Sequence, residues 1–274
     1  MKKIITIIAV TLVTSFTFAQ EAETKIEEQA SKLTAAVDVV YPYIWRGIKY
    51  NADKIAIQPY VNYAVSDVLS VGIWGTTNGS NDAESYNEFD WNVTLQLSPI
   101  VKILYSDYYF DGTINSENPR SSYFDYTASS AHSTDLSVLF DFSEVGVPID
   151  FQWNTIVGGG DFVTDAYGNA TRGYSSYAEL GYTYSEEKSG IDFRAFAGAA
   201  VINDAAYYGT DFDGTARTGF INNGINLAKE IKITEKYSIP VFARYIYNDI
   251  GIGNKAGDAN DHNFFALGAT FTIK

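Results

Sequence analysis

Apolar and polar residues alternate along most of this chain, beginning in the segment from Ala35 to Trp45. There, one parity is apolar throughout, whereas the other includes Asp38, Pro42 and Arg46. Successive side chains of a β-strand point to opposite faces of the sheet, so this pattern predicts a strand with one apolar face. The end of the chain repeats it, with an apolar row of Phe265, Leu267, Ala269, Phe271 and Ile273.

The alternation predicts about twelve strands, joined by connections of two unequal kinds. Connections after even-numbered strands are short, such as Ser66-Asp67 and Ser98-Pro99. Those after odd-numbered strands are long and rich in Gly, Asn and Asp, except the brief first one at Gly47 to Asp53. An even strand count with this asymmetry is typical of outer-membrane barrels. The predicted strands are 33–46, 54–65, 68–77, 86–97, 100–110, 133–142, 149–158, 173–184, 190–201, 219–232, 237–248 and 262–274.

Alternation alone also fits a soluble β-sandwich, in which the apolar face would form the core. Two groups of aromatic residues at opposite strand ends favour a barrel in a bilayer instead. The predicted outer group is Tyr43, Trp45, Tyr105, Tyr245, Tyr247 and Phe265, and the inner group is Tyr182, Tyr184, Tyr237 and Phe271. We therefore expect an all-β fold: a transmembrane, antiparallel, up-and-down β-barrel of about twelve strands, with short periplasmic turns and long extracellular loops.

The N-terminus has the features of a secretory signal peptide. Lys2 and Lys3 precede an apolar stretch, and small residues around Ala19 precede a cleavage site before Gln20. The apolar stretch is shorter than the roughly 20 residues that a spanning helix needs. We expect a signal peptide at 1–19, a charged periplasmic tail at 20–32 and an outer-membrane β-barrel at 33–274.

The composition of the chain limits the kinds of partner that it is expected to bind. The chain contains no Cys, so we expect packing and sheet closure, rather than disulfides, to stabilise it. Its formal net charge is −14, and it becomes more negative when Lys2 and Lys3 are removed. Nucleic-acid binding needs a basic surface, so nucleic acid is not an expected partner. The expected partners are outer-membrane lipids and small hydrophilic solutes or cations; the oligomeric state stays open.

Four short motifs resemble the TorF-type porin family of outer-membrane β-barrels. They are Tyr43-Ile44-Trp45-Arg46-Gly47, Ile57-Gln58-Pro59, Gly72-Ile73-Trp74-Gly75 and Glu88-Phe89-Asp90. The resemblance covers Val37 to Asp107, and the loops 111–132 and 202–218 are long for the family. The resemblance implies a bacterial outer-membrane barrel of porin type, and it implies neither a substrate nor a catalytic residue.

Charged residues on the inward side of the predicted strands are the candidate functional residues, since a charge in a barrel wall must face a wet lumen. Acids outnumber bases nine to four among them, which favours cations in a water-filled lumen. Alternatively, acids and bases pair across a filled interior. The predicted pore-lining residues are Asp38, Arg46, Gln58, Trp74, Glu88, Asp90, Lys102, Asp150, Glu179, Asp192, Arg194 and Arg244; Asp135, Asp141 and Glu230 are further inward acids.

Arg46 has two interpretations. It is either a constriction charge paired with Glu88 or Asp90, or a hydrogen-bonded anchor for the first loop.

A hydrolase is the weaker alternative. It would need His132 or His262 to meet a nucleophile and an acid, but their neighbours Ser133 and Asp261 point away along a strand. We therefore expect no enzymatic activity and no catalytic, metal or cofactor site.

The sequence thus predicts an outer-membrane, porin-like barrel for passive diffusion of small solutes, with a mild cation preference. The main alternative is a non-conducting barrel with a structural or recognition role through its outer loops.

Overall fold

The computed structural model describes residues 32–51, 53–80, 85–110, 122–126, 130–210, 214–250 and 262–273. The predicted signal peptide and nearly all of the predicted tail lie outside these residues. The strands are β1 (Leu33–Tyr41), β2 (Ile44–Trp45), β3 (Ile48–Lys49), β4 (Ala56–Ala64), β5 (Leu69–Thr77), β6 (Asn87–Gln96), β7 (Val101–Phe110), β8 (His132–Asp141), β9 (Ile149–Gly159), β10 (Phe162–Thr164), β11 (Ala170–Arg172), β12 (Ser176–Glu186), β13 (Ile191–Ile202), β14 (Gly219–Lys232), β15 (Ser238–Tyr247) and β16 (Asn263–Ile273). A short 3₁₀ helix spans Phe142–Val145.

Twelve of these strands close into one antiparallel barrel. Their order is β1, β4 to β9, β12 to β16 and back to β1. The closing ladder pairs Ala35 with Ile273 at one end and Tyr41 with Leu267 at the other. The predicted all-β barrel is therefore confirmed. Among the described residues, none form a helix long and apolar enough to cross a membrane.

Alternation sorts the side chains of each barrel strand between a nonpolar outside and a more polar inside. On β16, Phe265 and Leu267 point outward and are 69% and 58% exposed. On β4, Gln58 and Asn62 point inward and are buried. In a closed sheet every strand has two neighbours, so no edge leaves backbone groups without partners. The outward face is mostly nonpolar, so its exposure to water would be energetically unfavourable.

Long and short connections lie at opposite ends of the barrel. At one end the strands are joined by the short stretches 65–68, 97–100, 142–148, 187–190 and 233–237. At the other end the connections are 42–55, 78–86, 111–131, 160–175, 203–218 and 248–262. Two of these long-end connections contain small hairpins, β2–β3 and β10–β11. The predicted sorting of connections is confirmed.

The first strand is shorter than predicted. It ends at Tyr41 instead of residue 46, and the chain then leaves the barrel wall. Proline lacks a backbone N–H and cannot donate to the ladder, which explains the end of the strand at Pro42. Consequently Tyr43 and Trp45 do not join an outward aromatic band. That prediction was wrong, because both residues lie inside the barrel.

The nonpolar outward face gives a first prediction. Leu267→Arg should lower the free energy of unfolding in lipid vesicles by about 2–4 kcal/mol, because it places a charge on the apolar face. Thr270→Arg on the same strand is the control: Thr270 points inward and pairs with Asp38, so the new charge faces a carboxylate. Urea unfolding followed by tryptophan fluorescence measures both. Equal losses would contradict the assignment of faces.

Candidate functional site in the barrel lumen

The β2–β3 hairpin folds into the long-loop end of the lumen. Its residues Ile44, Ile48 and Lys49 are all buried. The turn between the strands is Arg46-Gly47, and both residues have positive φ, 48° and 77°. Positive φ at both central positions is what a two-residue type I′ turn requires. Arg46 adopts it at a cost of roughly 1–2 kcal/mol, so surrounding contacts must hold it there.

Arg46 is fixed by contacts from distant parts of the chain. Its Nη2 lies 2.7 Å from Oδ2 of Asp135 on β8, and its Nη1 donates to the Tyr208 hydroxyl at 2.9 Å. The guanidinium also lies over the rings of Trp45 and Tyr177, 4.3 and 5.2 Å from their centroids. We call Asp135, Tyr208, Trp45 and Tyr177 the guanidinium pocket. It pairs the charge and places two aromatic rings against the cation.

Aromatic rings fill the space around this pocket. Tyr43 packs against Trp74 of β5 at 5.7 Å and against Tyr50 at 5.8 Å between ring centroids. Trp45 packs against Tyr108 of β7 at 5.6 Å. On the other side of the hairpin, Ile44 packs into an apolar cluster with Phe196, Ile246 and Phe264. The outer half of the lumen is therefore packed, not lined only by polar groups.

The hairpin spans the lumen from wall to wall. Its tip meets β14, where a Cβ on Gly47 would lie 1.7 Å from the Ile221 carbonyl oxygen. Asn248, just after β15, donates to the Gly47 carbonyl at 3.0 Å. Together with the contacts to β5, β7, β8 and β12, these place the hairpin across the path through the barrel. We call the described residues 42–51 and 53–55 the luminal plug.

Residues 203–210 and 214–218, in the connection after β13, support the plug from the opposite side. Asn203 accepts from the Tyr208 backbone N–H and donates to the carbonyls of Gly209 and Arg217, which fixes the loop. The Tyr207 hydroxyl hydrogen-bonds Ser133 of β8 at 2.8 Å. Burial raises the pKa of the Tyr208 phenol well above its usual value, although the Arg46 charge opposes this. Tyr208 therefore stays neutral, and Asp135 supplies the negative charge opposite Arg46.

A second ion cluster crosses the interior deeper in the barrel. Arg194 of β13 contacts Asp150 of β9 through Nε at 3.0 Å and Glu179 of β12 through Nη2 at 2.8 Å. It reaches them over Gly181, where a Cβ would lie 2.3 Å from Nη2 of Arg194. Arg244 lies two strands away and donates from Nε to Asn226 at 3.2 Å. Three of the predicted charges are thus brought together and paired.

The other wall of the lumen carries acids and amides with oxygen atoms left over. Asp38 is directly opposite Gln58 across the β1–β4 ladder, and Asn92 lies on β6 beside Asp90. Among the described residues, one buried side-chain oxygen of each has no hydrogen-bond partner, and the same holds for Asn154 of β9. Buried oxygens of this kind are ordinarily satisfied by water or a ligand. This wall is suited to hydrated contents.

The structure places the remaining predicted residues as follows. Glu88 accepts from the Tyr86 hydroxyl at 2.8 Å, at the edge of the plug. Lys102 and Asp192 lie near the short-turn end, away from the plug. Asp141 caps the 3₁₀ helix and accepts from the Ser143 backbone N–H at 3.0 Å. Arg46 pairs with Asp135, not with Glu88 or Asp90 as expected, because the hairpin carries it across the lumen to β8.

Sequence reasoning missed Asp107, which lies on the outward face of β7. It is buried under His132, Tyr126 and Trp91: Nδ1 of His132, the Tyr126 hydroxyl and Nε1 of Trp91 lie 2.8, 3.2 and 2.9 Å from its Oδ2. Residues 122–126 thus fold down over the outside of the barrel. The clue in the sequence is that this acid lies between Tyr105 and Tyr109, in the row of the strand that faces outward and is otherwise apolar.

His132 does not have the geometry of a general base. Its Nδ1 faces Asp107 and its Nε2 faces the Tyr123 carbonyl oxygen, so both ring nitrogens are engaged. Ser133 points to the other face of β8, toward Tyr207. The other histidine, His262, contacts the Asn248 carbonyl oxygen through Nδ1, while its predicted neighbour Asp261 lies outside the described residues. The contacts give no support to the hydrolase alternative.

The class that the fold and lumen define is a closed twelve-stranded β-barrel with a nonpolar outside, a charged inside and a plug near one mouth. No family model matches the chain, and no curated protein matches it. One similar solved structure is the NanC porin, with 13% identity and a TM-score of 0.49 over 87% of this chain and 100% of that chain. Another is Acinetobacter baumannii OccAB4, with 14% identity and a TM-score of 0.40 over 89% of this chain and 63% of that chain. Because both TM-scores are below 0.5, the assignment of the fold rests on this chain's own strand pairing and not on these two structures.

The deeper ion cluster gives a prediction for stability. Arg194→Ala should lower the free energy of unfolding by about 3–5 kcal/mol, because it leaves Glu179 buried without its partner. The control is Arg172→Ala. Arg172 lies in the β10–β11 hairpin, donates to the Gly159 carbonyl and stacks on the Phe162 ring, so we expect a loss of about 1 kcal/mol or less. Equal losses in urea unfolding would contradict a structural role for the cluster.

The plug gives a prediction for local structure. Gly47→Ala should displace the hairpin, because the added Cβ meets the Ile221 carbonyl oxygen. Trypsin should then cleave after Arg46 in the folded barrel, as mass spectrometry of the fragments would show. Gly79→Ala is the matched control: Gly79 also has positive φ, 66°, but its Cβ would meet open space. Resistance of the Gly47→Ala barrel to cleavage would show that the hairpin is not held at its tip.

Proposed function

We propose that this protein is an outer-membrane, porin-like channel for passive diffusion of small hydrophilic solutes, with a mild preference for cations. The observation that carries the proposal is the inner wall with Asp38, Gln58, Asp90 and Asn92. Each has a buried oxygen without a hydrogen-bond partner among the described residues. A closed interior would leave these groups at a cost of about 1–3 kcal/mol each, whereas a wet path satisfies them with water.

The charge of the wall supports the cation preference. Arg194 and Arg46 are each neutralised by carboxylates, whereas Asp38 and Asp90 face the lumen without a salt bridge to a described base. Carboxylates around a water-filled path raise the local concentration of cations and disfavour anions. The selectivity should be mild, since few of the acids remain without a positive partner.

The outward face supports the proposed membrane location. Exposed large hydrophobic side chains occur on most barrel strands, although β14 also presents Lys229, and a depression of about 670 Å³ lies between β13 and β1. Its lining is mostly nonpolar and includes Leu227, Ala243, Ala269 and Phe271. A depression with a nonpolar lining can accommodate lipid acyl chains, which supports lipids as partners. The TorF-type resemblance belongs to this proposal and accords with it.

The alternative is a non-conducting barrel that acts through its loops. The luminal plug favours it, because Tyr43, Trp45 and Ile44 pack the outer half of the lumen. Such a barrel would have a structural or recognition role at the long-loop end. The two candidate functions, a channel and a non-conducting barrel, differ in whether ions pass through the lumen.

Conductance tests the proposal. The refolded mature protein in a planar bilayer should give discrete steps, and a salt gradient should give a reversal potential on the cation side. Glu88→Gln with Asp90→Asn should move the cation-to-anion permeability ratio toward unity, because both carboxylates are inward and buried.

Asp165→Asn is the control for this measurement. Asp165 lies in the β10–β11 turn, where it accepts from the backbone N–H of Tyr167, away from the lumen. Its loss should leave the ratio unchanged. A wild-type ratio at or below one would contradict the cation preference, and a silent bilayer with insertion confirmed would favour the non-conducting barrel.

A further inference from the structure

We propose that the guanidinium pocket is a binding site for guanidinium-type organic cations in the conduction path, and that the luminal plug closes the path by occupying this site with Arg46. The inference rests on the proposed channel function for its effect on conductance. The binding site itself rests on geometry alone. Its ligand class is a planar cation that donates several hydrogen bonds.

The pocket contains the parts that recognise such a cation. Asp135 supplies a fully buried carboxylate, and the Tyr208 hydroxyl supplies a second acceptor. Trp45 and Tyr177 supply ring faces for cation–π contact. A planar guanidinium combines hydrogen bonds to oxygen in its plane with stacking on aromatic faces, so it fits this arrangement better than a compact ammonium.

The pocket is built by the barrel and not only by the plug. Asp135 accepts from Ser137 of the same strand at 3.0 Å through Oδ1, so the cation shares Oδ2 only with the Tyr108 hydroxyl at 3.4 Å among the described residues. Tyr177 is held by hydrogen bonds with Glu179 and Asn222, and Tyr208 by the loop bonded to Asn203. Only Trp45 comes from the plug. When Arg46 leaves, the carboxylate and two of the aromatic groups therefore stay in place.

Arg46 is suited to be a removable occupant. It is a non-glycine residue at positive φ in a hairpin of two-residue strands, so the plug depends on contacts at its tip. The main charged contact there is the ion pair with Asp135. A free cation that takes Arg46's place would leave the buried carboxylate paired, so it can release the tip without exposing an unpaired charge in the interior.

The test uses guanidinium chloride as the probe and Arg46→Ala as the variant. Isothermal titration calorimetry on the folded Arg46→Ala barrel in detergent should show binding with a Kd of roughly millimolar order, and at least about tenfold weaker binding to wild type, where guanidinium must first displace Arg46. In the bilayer, Arg46→Ala should conduct more than wild type, and guanidinium should lower that conductance again. Sodium chloride at equal ionic strength should not.

Three further variants keep the test decisive. Arg46→Gly makes the same space and relieves the positive φ, so it serves if Arg46→Ala folds poorly. Arg46→Ala with Asp135→Asn should weaken guanidinium binding by at least about tenfold. Arg172→Ala is the matched control, since Arg172 also stacks on a ring, that of Phe162 at 4.4 Å, but is not part of the guanidinium pocket; it should bind guanidinium no better than wild type.

The outcomes separate the two proposals. Absence of guanidinium binding to folded Arg46→Ala and Arg46→Gly would overturn the binding site, even if the wild type conducts. Binding that survives Asp135→Asn would overturn it as well. Binding that depends on Asp135, together with bilayers that stay silent for every variant, would support the site and overturn both the channel and the closing role of the plug.

Discussion

Closure of the β1–β16 ladder is the constraint on which the rest of this structure depends. Once twelve strands form a ring, every side chain on them must point either outward or into an interior of fixed width. The nonpolar row of each strand takes the outside, and the charged row is forced together inside. The interior then has to pair its charges, hydrate them or cover them. The described residues pair some of these charges and cover others, and we propose that water hydrates the rest.

Different parts of the lumen wall accommodate their charges in different ways. Between β9 and β13, Arg194 bridges two acids, and this side behaves as a packed wall. On the β1 to β6 side, acids and amides keep oxygen atoms without partners among the described residues, which suits a hydrated path. The plug lies over both sides near the long-loop end, and its arginine reaches β8 between them. A single hairpin thus connects the packed side of the interior with the side that we propose to be hydrated.

Much of the fold could be predicted from the sequence, because alternation of period two persists along each barrel strand. Strand positions and faces follow from parity, as do the inward positions of Asp135 and Arg194. Parity failed at Tyr43 and Trp45, since the alternation runs on past Pro42 although the chain has left the wall. The Arg46–Asp135 pair could not be predicted either. Parity puts many acids inside, but only the three-dimensional path of the hairpin selects the one that Arg46 reaches.

Asp107 has a consequence for how the protein sits in a bilayer. Over β6 to β8 the outer surface near the long-loop end is occupied by a buried carboxylate, a histidine and residues 122–126 folded down upon them. On β16 the apolar row reaches Phe265 without such a cover, so the nonpolar surface of the barrel ends differently on the two sides. A membrane of uniform thickness accommodates an uneven nonpolar surface by local thinning or by tilt of the embedded body. In the proposed membrane location, lipids would therefore pack differently on the two flanks of the barrel.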